Sequence, residues 1–283
     1  MTITAPRLTM QTPAHNSLRG ELRSIAPSTR SNTPRQYWAG LAWQLGSAAF
    51  WESAASAVEA PASFKLGGSL LEELGVCLLG GFGVPFELGN AAFEQLRAEG
   101  VFADSGRWTP EQVEELLLVP LSVRGRQRRY RFPRQRAARI VAGIDHLRDN
   151  EAPADDVELR DWLTRIVGVG PKTASWVVRN NRSSDQVAII DIHIARAGTV
   201  AGVFDPDWVL PRDYLEFENA FLQWAAHAGL RAAMLDACIW SRMARSERDA
   251  HDILGVRNYS ETLLPVWDVR DTQTEPSKLS ISV

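Results

Sequence analysis

The sequence predicts an all-α protein, on three observations. Helix-start signatures recur along the chain, apolar residues repeat at i, i+3, i+4, i+7 spacing, and no stretch alternates apolar and polar residues over a convincing strand length. Residues 1–35 are rich in Ser, Thr, Pro, Asn and Arg and are expected to form a loose arm. Residues 36–57 carry Trp38, Trp43 and Phe50 among other apolar residues and are expected to be helical. Residues 69–79 are almost wholly apolar, the mark of a buried helix. The turn "GGFGVP" (80–85) precedes a helix in "FELGNAAFEQLRAEG", which Gly100 closes. In "TPEQVEELLL" Thr109 is the N-cap, Pro110 occupies the first turn and Gln112 completes a capping box. Asp155 and Glu158 stand in the same relation ahead of Leu159, Trp162, Leu163 and Ile166. Further helices are expected over 134–149, 172–181, 191–200, 212–228 and 231–246, with a frayed polar tail over 269–283.

The chain's 283 residues suit one large or two modest domains. Its 45% hydrophobic and 23% charged content is ordinary for a soluble globular protein. Cys77 and Cys238 are too few for a structural zinc site or an iron–sulfur cluster, which need about four ligands. Both lie in apolar contexts and read as buried thiols. The five histidines have no metal-ligand spacing, so no metal or cofactor is expected. The N-terminus lacks an apolar leader, and the longest apolar run, 74–86, is broken by glycines and too short to span a bilayer. The expectation is a cytoplasmic protein without a membrane partner.

Charge is unevenly distributed. Residues 124–139, "RGRQRRYRFPRQRAAR", hold eight arginines and no acid, leaving 23 basic against 34 acidic residues elsewhere, a net of −11. Such a stripe either flanks a solvated helix or meets a polyanion. A dense block of one sign repels itself unless anions face it, which favours nucleic acid.

One stretch carries chemistry. "IVGVGPKTASWVVRN" (166–180) joins two helices through Gly168, Val169 and Gly170, with Pro171 suited to a first helical position. Free turn N–H groups and the positive end of the second helix would make an anion site. The next residue, Lys172, is one of only three lysines, the others being Lys65 and Lys278, against 28 arginines. A lysine can shed its proton and attack carbon, whereas an arginine cannot. Nineteen residues later Asp191 follows an apolar run in "QVAIIDIHI". Alone, Asp191 reads as an N-cap; with Lys172, it reads as half of a catalytic pair.

The combination "VGVGPKTAS … AIIDIHI" resembles the helix-hairpin-helix–Gly/Pro–Asp superfamily of base-excision DNA glycosylases, most specifically over 157–199. "RYRFPRQRAARIVAG" (129–143) and "AMLDACIWSRM" (233–243) resemble the basic helix and the C-terminal Leu-Asp-x-x-x-Trp helix of its 8-oxoguanine branch, especially prokaryotic members. The resemblance implies a nucleophilic role for Lys172 and an essential role for Asp191. It implies two helical domains flanking an active-site cleft, with the hairpin (157–181) on one wall. The expected division is 69–190 for one domain and 36–68 plus 191–268 for the other. The implied partner is double-stranded DNA with a damaged base, bound by a monomer.

The chemistry is consistent with these roles. Breaking an N-glycosidic bond builds positive charge on the sugar, which a nearby carboxylate stabilises. At a reference pKa of about 10.4, freeing a lysine amine at neutral pH costs roughly 4–5 kcal/mol, and burial or a helix N-terminus reduces that cost. The resulting imine can then drive strand cleavage by β-elimination. The expected phosphate contacts are Gly168, Val169, Gly170, Arg128, Arg129 and Arg131. Base chemistry also needs a pocket for a flipped nucleotide. Trp176, one turn after Lys172, either stacks on that base or belongs to the core. Asp236 and Trp240 are further pocket candidates, with Trp240 alternatively a buried helix anchor.

Two features depart from the relatives. The four C-terminal iron–sulfur cysteines usual in the endonuclease III and adenine-glycosylase branches are absent from this sequence, and residues 80–89 are glycine-rich and apolar where many 8-oxoguanine enzymes are polar. The leading reading is a bifunctional glycosylase/lyase for oxidised guanine. The alternatives are the same chemistry on another modified base, or a non-catalytic DNA-binding protein.

Overall fold

The computed structural model describes residues 19–28, 33–59, 61, 63–81, 83–103 and 107–245. The helical class is as expected: ten α-helices dominate the described residues. Two small antiparallel sheets accompany them, with strands of three or four residues, too short to carry a convincing alternating pattern. Strands β1 (Leu22–Ile25) and β2 (Arg35–Trp38) pair with Ile25 opposite Arg35. Part of the expected loose arm is therefore ordered. Ile25 and Tyr37 turn into the core, and Arg23 donates to Glu52 Oε1 at 2.6 Å. Residues 1–18 lie outside the described residues.

The helix expected over 36–57 is shorter, confined to α1 (Ala48–Ser56). Its N-cap Ser47 accepts from the Phe50 amide, and the preceding chain turns at Gly40 and Gly46, both at positive φ. A Cβ on Gly40 would lie 2.5 Å from that of Ser47, so only glycine lets this turn close on the cap.

The middle of the chain follows its local signals. Helices α2 (Leu70–Leu79), α3 (Phe86–Ala98) and α4 (Pro110–Leu118) appear in order, the last with both bonds of the Thr109–Gln112 capping box. A hairpin follows just ahead of the basic helix expected from 129–143, in a stretch to which the sequence assigned no element. Strands β3 (Leu121–Val123) and β4 (Arg126–Arg128) are joined by Arg124 and Gly125, both at positive φ, as a two-residue hairpin turn requires. The helix proper is α5 (Pro133–Asp149). Next come α6 (Asp156–Leu163), capped by Asp155, and α7 (Pro171–Arg182). Helices α8 (Ile192–Val200), α9 (Tyr214–His227) and α10 (Ala232–Arg245) complete the described chain. The polar tail expected over 269–283 lies outside it.

Buried apolar side chains form two clusters. The first is built from α2 to α7 and includes Leu74, Phe93, Ile140, Leu159 and Val177. The second gathers β1, β2, α1 and α8 to α10 around Trp51, Phe204, Phe217, Phe221 and Trp224. Fully burying each such side chain contributes about 1.5–3 kcal/mol. The chain leaves the first cluster at Val187 and enters the second at Ala188.

That crossing is fixed by buried polar groups. Glu218 of α9 accepts from Ser175 Oγ of α7 at 2.8 Å, from the Ala188 amide at 3.0 Å and from the Arg160 guanidinium of α6. Tyr214 donates its hydroxyl to the Ala188 carbonyl at 2.7 Å and accepts from the Ile190 amide at 3.2 Å. Burial raises the Glu218 carboxyl pKa, while Arg160 and the surrounding hydrogen bonds pull it back.

Candidate active site

The turn between α6 and α7 is tight because Gly168 sits at φ 86°, a left-handed conformation that side chains disfavour. A Cβ there would meet the Arg139 side chain at 2.2 Å, so α5 packs directly under the turn. Val167 points outward at 75% exposure and Val169 points into the first cluster.

The expected anion site needs one correction. The Val169 amide donates to the Ile166 carbonyl at 3.0 Å and closes the turn, so it is not open to a phosphate. Among the described residues the Gly168 and Gly170 amides have no intramolecular acceptor. Gly170 is the N-cap of α7 and supplies no side-chain cap, which leaves the first-turn amides of Lys172 and Thr173 unpaired as well. Four N–H groups and the positive end of a twelve-residue helix thus surround Lys172.

Lys172 is half-buried, and its amine makes no ion pair among the described residues. Trp176 and Arg179 follow it on the same face of α7, at i+4 and i+7. Trp176 is half-buried against the first cluster. A Cβ on Gly80 would stand 3.2 Å from its indole, so the glycine after α2 makes room for the ring. Gly83 of the same loop lies against Arg131 and Phe132, linking the loop to the basic stripe. Phe82 lies outside the described residues.

Asp191 both caps and remains available. Its Oδ1 accepts the His193 and Ile194 amides at 2.8 and 3.0 Å, which fixes the start of α8. Oδ2 makes no hydrogen bond among the described residues. The preceding segment, Ala188 to Ile190, is the one gripped by Glu218 and Tyr214.

Asp236, in the first turns of α10, is the meeting point. It is 5% exposed, and Oδ2 lies 3.3 Å from Arg179 Nη2. Burial pushes its carboxyl pKa up to about 7; Arg179 and Lys172 pull it down and Asp191 pushes it further up. Lys172, Asp191, Asp236 and Arg179 therefore share one electrostatic neighbourhood. Cys77 of α2 joins it, with burial and Glu73 raising its thiol pKa against Arg179 and Lys172.

Trp240 is not the buried anchor considered above. Leu235, Ile239 and Met243 take the core-facing stripe of α10, which leaves Trp240 45% exposed one turn beyond Asp236. The arginine stripe is continuous in sequence but splits in structure. Arg128, Arg129 and Arg131 are exposed on and after the β3–β4 hairpin, where Arg124 pairs with Glu87. Arg136 and Arg139 lie on α5, Arg139 against Gly168 and Arg136 against Phe132. Burial and the Arg136 charge lower the Arg139 pKa.

Sequence reasoning missed Arg179, Glu218 and Tyr214. The seven-residue step from Lys172 marks the face of α7 on which Arg179 lies. No local signal marks Glu218 or Tyr214, whose partners are distant in the chain. Among the described residues no group of histidines, cysteines and carboxylates could hold a metal, and no helix is long and apolar enough to cross a membrane.

The 8-oxoguanine DNA glycosylase family model matches residues 67–230. The chain belongs to the 8-oxoguanine DNA glycosylase family. The match contains the hairpin, Lys172 and Asp191, and stops short of Asp236 and Trp240. A relative from Metallosphaera sedula, an 8-oxoguanine DNA glycosylase/AP lyase, is 33% identical over 122 residues. That stretch is 39% of this chain and spans only 57% of the relative's length. The solved 8-oxoguanine DNA glycosylase of Methanocaldococcus jannaschii is 26% identical with a TM-score of 0.50, over 69% of this chain and 84% of that one. A structure of the Methanocaldococcus jannaschii glycosylase/lyase with DNA containing 8-oxoguanine is 27% identical with a TM-score of 0.48, covering 62% of this chain and 81% of that one.

Proposed function

We propose that this protein is a bifunctional DNA N-glycosylase/AP lyase that removes 8-oxoguanine from double-stranded DNA in base-excision repair. The observation that carries this reading is the setting of Lys172. It lies at a helix start with no side-chain cap, in the electrostatic neighbourhood of Asp236, which also feels Asp191. A purely DNA-binding hairpin has no need of that grouping.

Each residue then has a role. The Gly168, Gly170, Lys172 and Thr173 amides hold a backbone phosphate of the lesion strand. Arg128, Arg129 and Arg131 contact phosphates further along. Trp176, Asp236 and Trp240 line the pocket for the flipped base, with Trp176 stacking and the carboxylate accepting hydrogen bonds. The Asp191 carboxylate stabilises positive charge on the sugar as the C1′–N9 bond weakens. The Lys172 amine donates its lone pair to C1′, the base departs with the bonding electrons and takes up a proton, and the ring-opened sugar becomes an imine. Loss of a C2′ proton expels the 3′ phosphate, and water hydrolyses the imine to return the amine. The pocket lies between the two apolar clusters, which act as two domains around a cleft. The enzyme works as a monomer in the cytoplasm, on the nucleoid when bound to DNA.

Borohydride trapping on duplex DNA containing 8-oxoguanine tests the reaction. Wild-type protein should form a covalent adduct and Lys172→Gln should not. Retained DNA binding with no adduct on any of a panel of damaged bases would sink the enzymatic reading. Single-turnover excision across that panel ranks the bases.

A further inference from the structure

The family match ends before α10, and what holds Asp236 in place comes from the opposite cluster. We propose that Arg179 is a positioning residue: its ion pair across the cleft holds the Asp236 carboxylate in the base pocket as a hydrogen-bond acceptor, and so selects bases whose edge presents adjacent N–H donors. This rests on the proposed role of Asp236 in the pocket.

The geometry is specific. Arg179 is buried and reaches α10 from α7, on the face that also carries Lys172 and Trp176. Its guanidinium stacks 4.6 Å over the Phe64 ring, which fixes its plane. The approach to Asp236 Oδ2, 3.3 Å, is an ion pair without hydrogen-bond alignment. Asp236 Oδ2 and Arg179 Nε are both buried with no hydrogen-bond partner. Buried charged atoms in that condition call for an explanation, and a carboxylate oxygen awaiting donors from a ligand provides one.

The charged groups around Asp236 make Arg179 decisive. Lys172 and Arg179 face it from α7 and Asp191 from the start of α8. Cys77 of α2 feels both Arg179 and Glu73, with Glu73 held by the Leu66 and Gly67 amides and by Asn180. Glu52 of α1 is committed to Arg23 and Trp224, Glu218 of α9 to Arg160 and Ser175, and Arg196 of α8 interacts with Asp191. Arg179 is thus the strongest charge favouring the ionised carboxylate. An ionised carboxylate only accepts hydrogen bonds, which matches the N1–H and 2-amino donors of a guanine-type edge. A neutral carboxyl also donates and loses that selectivity.

The test compares wild type, Arg179→Lys, Arg179→Gln and Asp236→Asn by single-turnover excision of 8-oxoguanine from about pH 5 to about pH 9. Each protein is normalised to its own plateau. Wild type should show an acid limb centred near the Asp236 value of about 7. Arg179→Gln should move that limb up by about one pH unit or more, Arg179→Lys should largely restore it, and Asp236→Asn should abolish it. A uniform fall in plateau with an unmoved limb, equal displacement by Lys and Gln, or a limb that survives Asp236→Asn would overturn the proposal. If Arg179→Gln does not fold, the Lys and Asn variants still decide. Melting of the DNA-free proteins over the same range reads the ion pair without substrate, and its pH break should also move up in Arg179→Gln. An inactive wild type with that break displaced would count against the proposed function and leave the ion pair standing, whereas an active wild type with an unmoved break would sink this inference alone.

Discussion

Lys172 differs from the 28 arginines in its ability to exist as a free amine. Unpaired amides and a helix N-terminus stand around it, and no carboxylate forms a salt bridge with it among the described residues. Asp191 uses one oxygen as a cap and keeps the other, so capping leaves an oxygen for the proposed role at the sugar. Asp191→Asn should retain the cap, because its amide oxygen still accepts. We expect excision to be lost while DNA affinity, measured by fluorescence anisotropy, stays within a few fold; a large loss of affinity would mark Asp191 as structural. Asp236 makes a stability prediction whose sign follows from its raised pKa. The folded carboxyl holds its proton more tightly than the ordinary value of 3.8, so its contribution is full below that value and disappears as pH rises through about 7. Wild-type melting temperature should therefore fall across that window, and Asp236→Asn should remove the fall.

At the scale of elements, sequence legibility followed the range of the interactions involved. The Thr109 and Asp155 caps, the hairpin turn and the Asp191 cap are set within four residues and were readable. The β3–β4 hairpin was hidden because its strands are three residues each and its turn, Arg124-Gly125, carries arginine where asparagine or aspartate would have announced it. β1 and β2 were hidden because their stability comes from Ile25, Tyr37 and Arg23 meeting residues far along the chain. The same distinction runs through the site: Lys172 and Asp191 announce themselves, whereas Arg179 acquires meaning only beside Asp236. The hairpin turn offers a direct test. Gly168→Ala forces a side chain into a left-handed position and against Arg139, at a cost of about 1–2 kcal/mol or more. Both thermal stability and DNA affinity should drop. For the basic hairpin, replacing Arg128, Arg129 and Arg131 with glutamine should reduce the slope of log affinity against log salt by about 0.9 per lost phosphate contact. An unchanged slope would place the stripe off the DNA.

For the molecule as a whole, the relation between the two apolar clusters rests heavily on one side chain. Glu218 reaches from the second cluster to Arg160 and Ser175 of the first and to the connecting segment that leads to Asp191. Its replacement by alanine leaves the Arg160 charge buried with only its neighbour Asp161, and should lower stability by about 3–5 kcal/mol in chemical denaturation. The same contact bears on how the protein folds. Neither cluster can bury its share of the Arg160–Glu218 pair alone, so the intact chain should melt in a single cooperative transition, with equal calorimetric and van't Hoff enthalpies. Glu218→Gln, keeping the shape and removing the charge, should split that transition into two. In the all-or-none folding of the intact chain the proposed nucleophile of one half and the proposed carboxylate of the other come together in the same step that forms both halves, so no partly folded chain accumulates with an incomplete site.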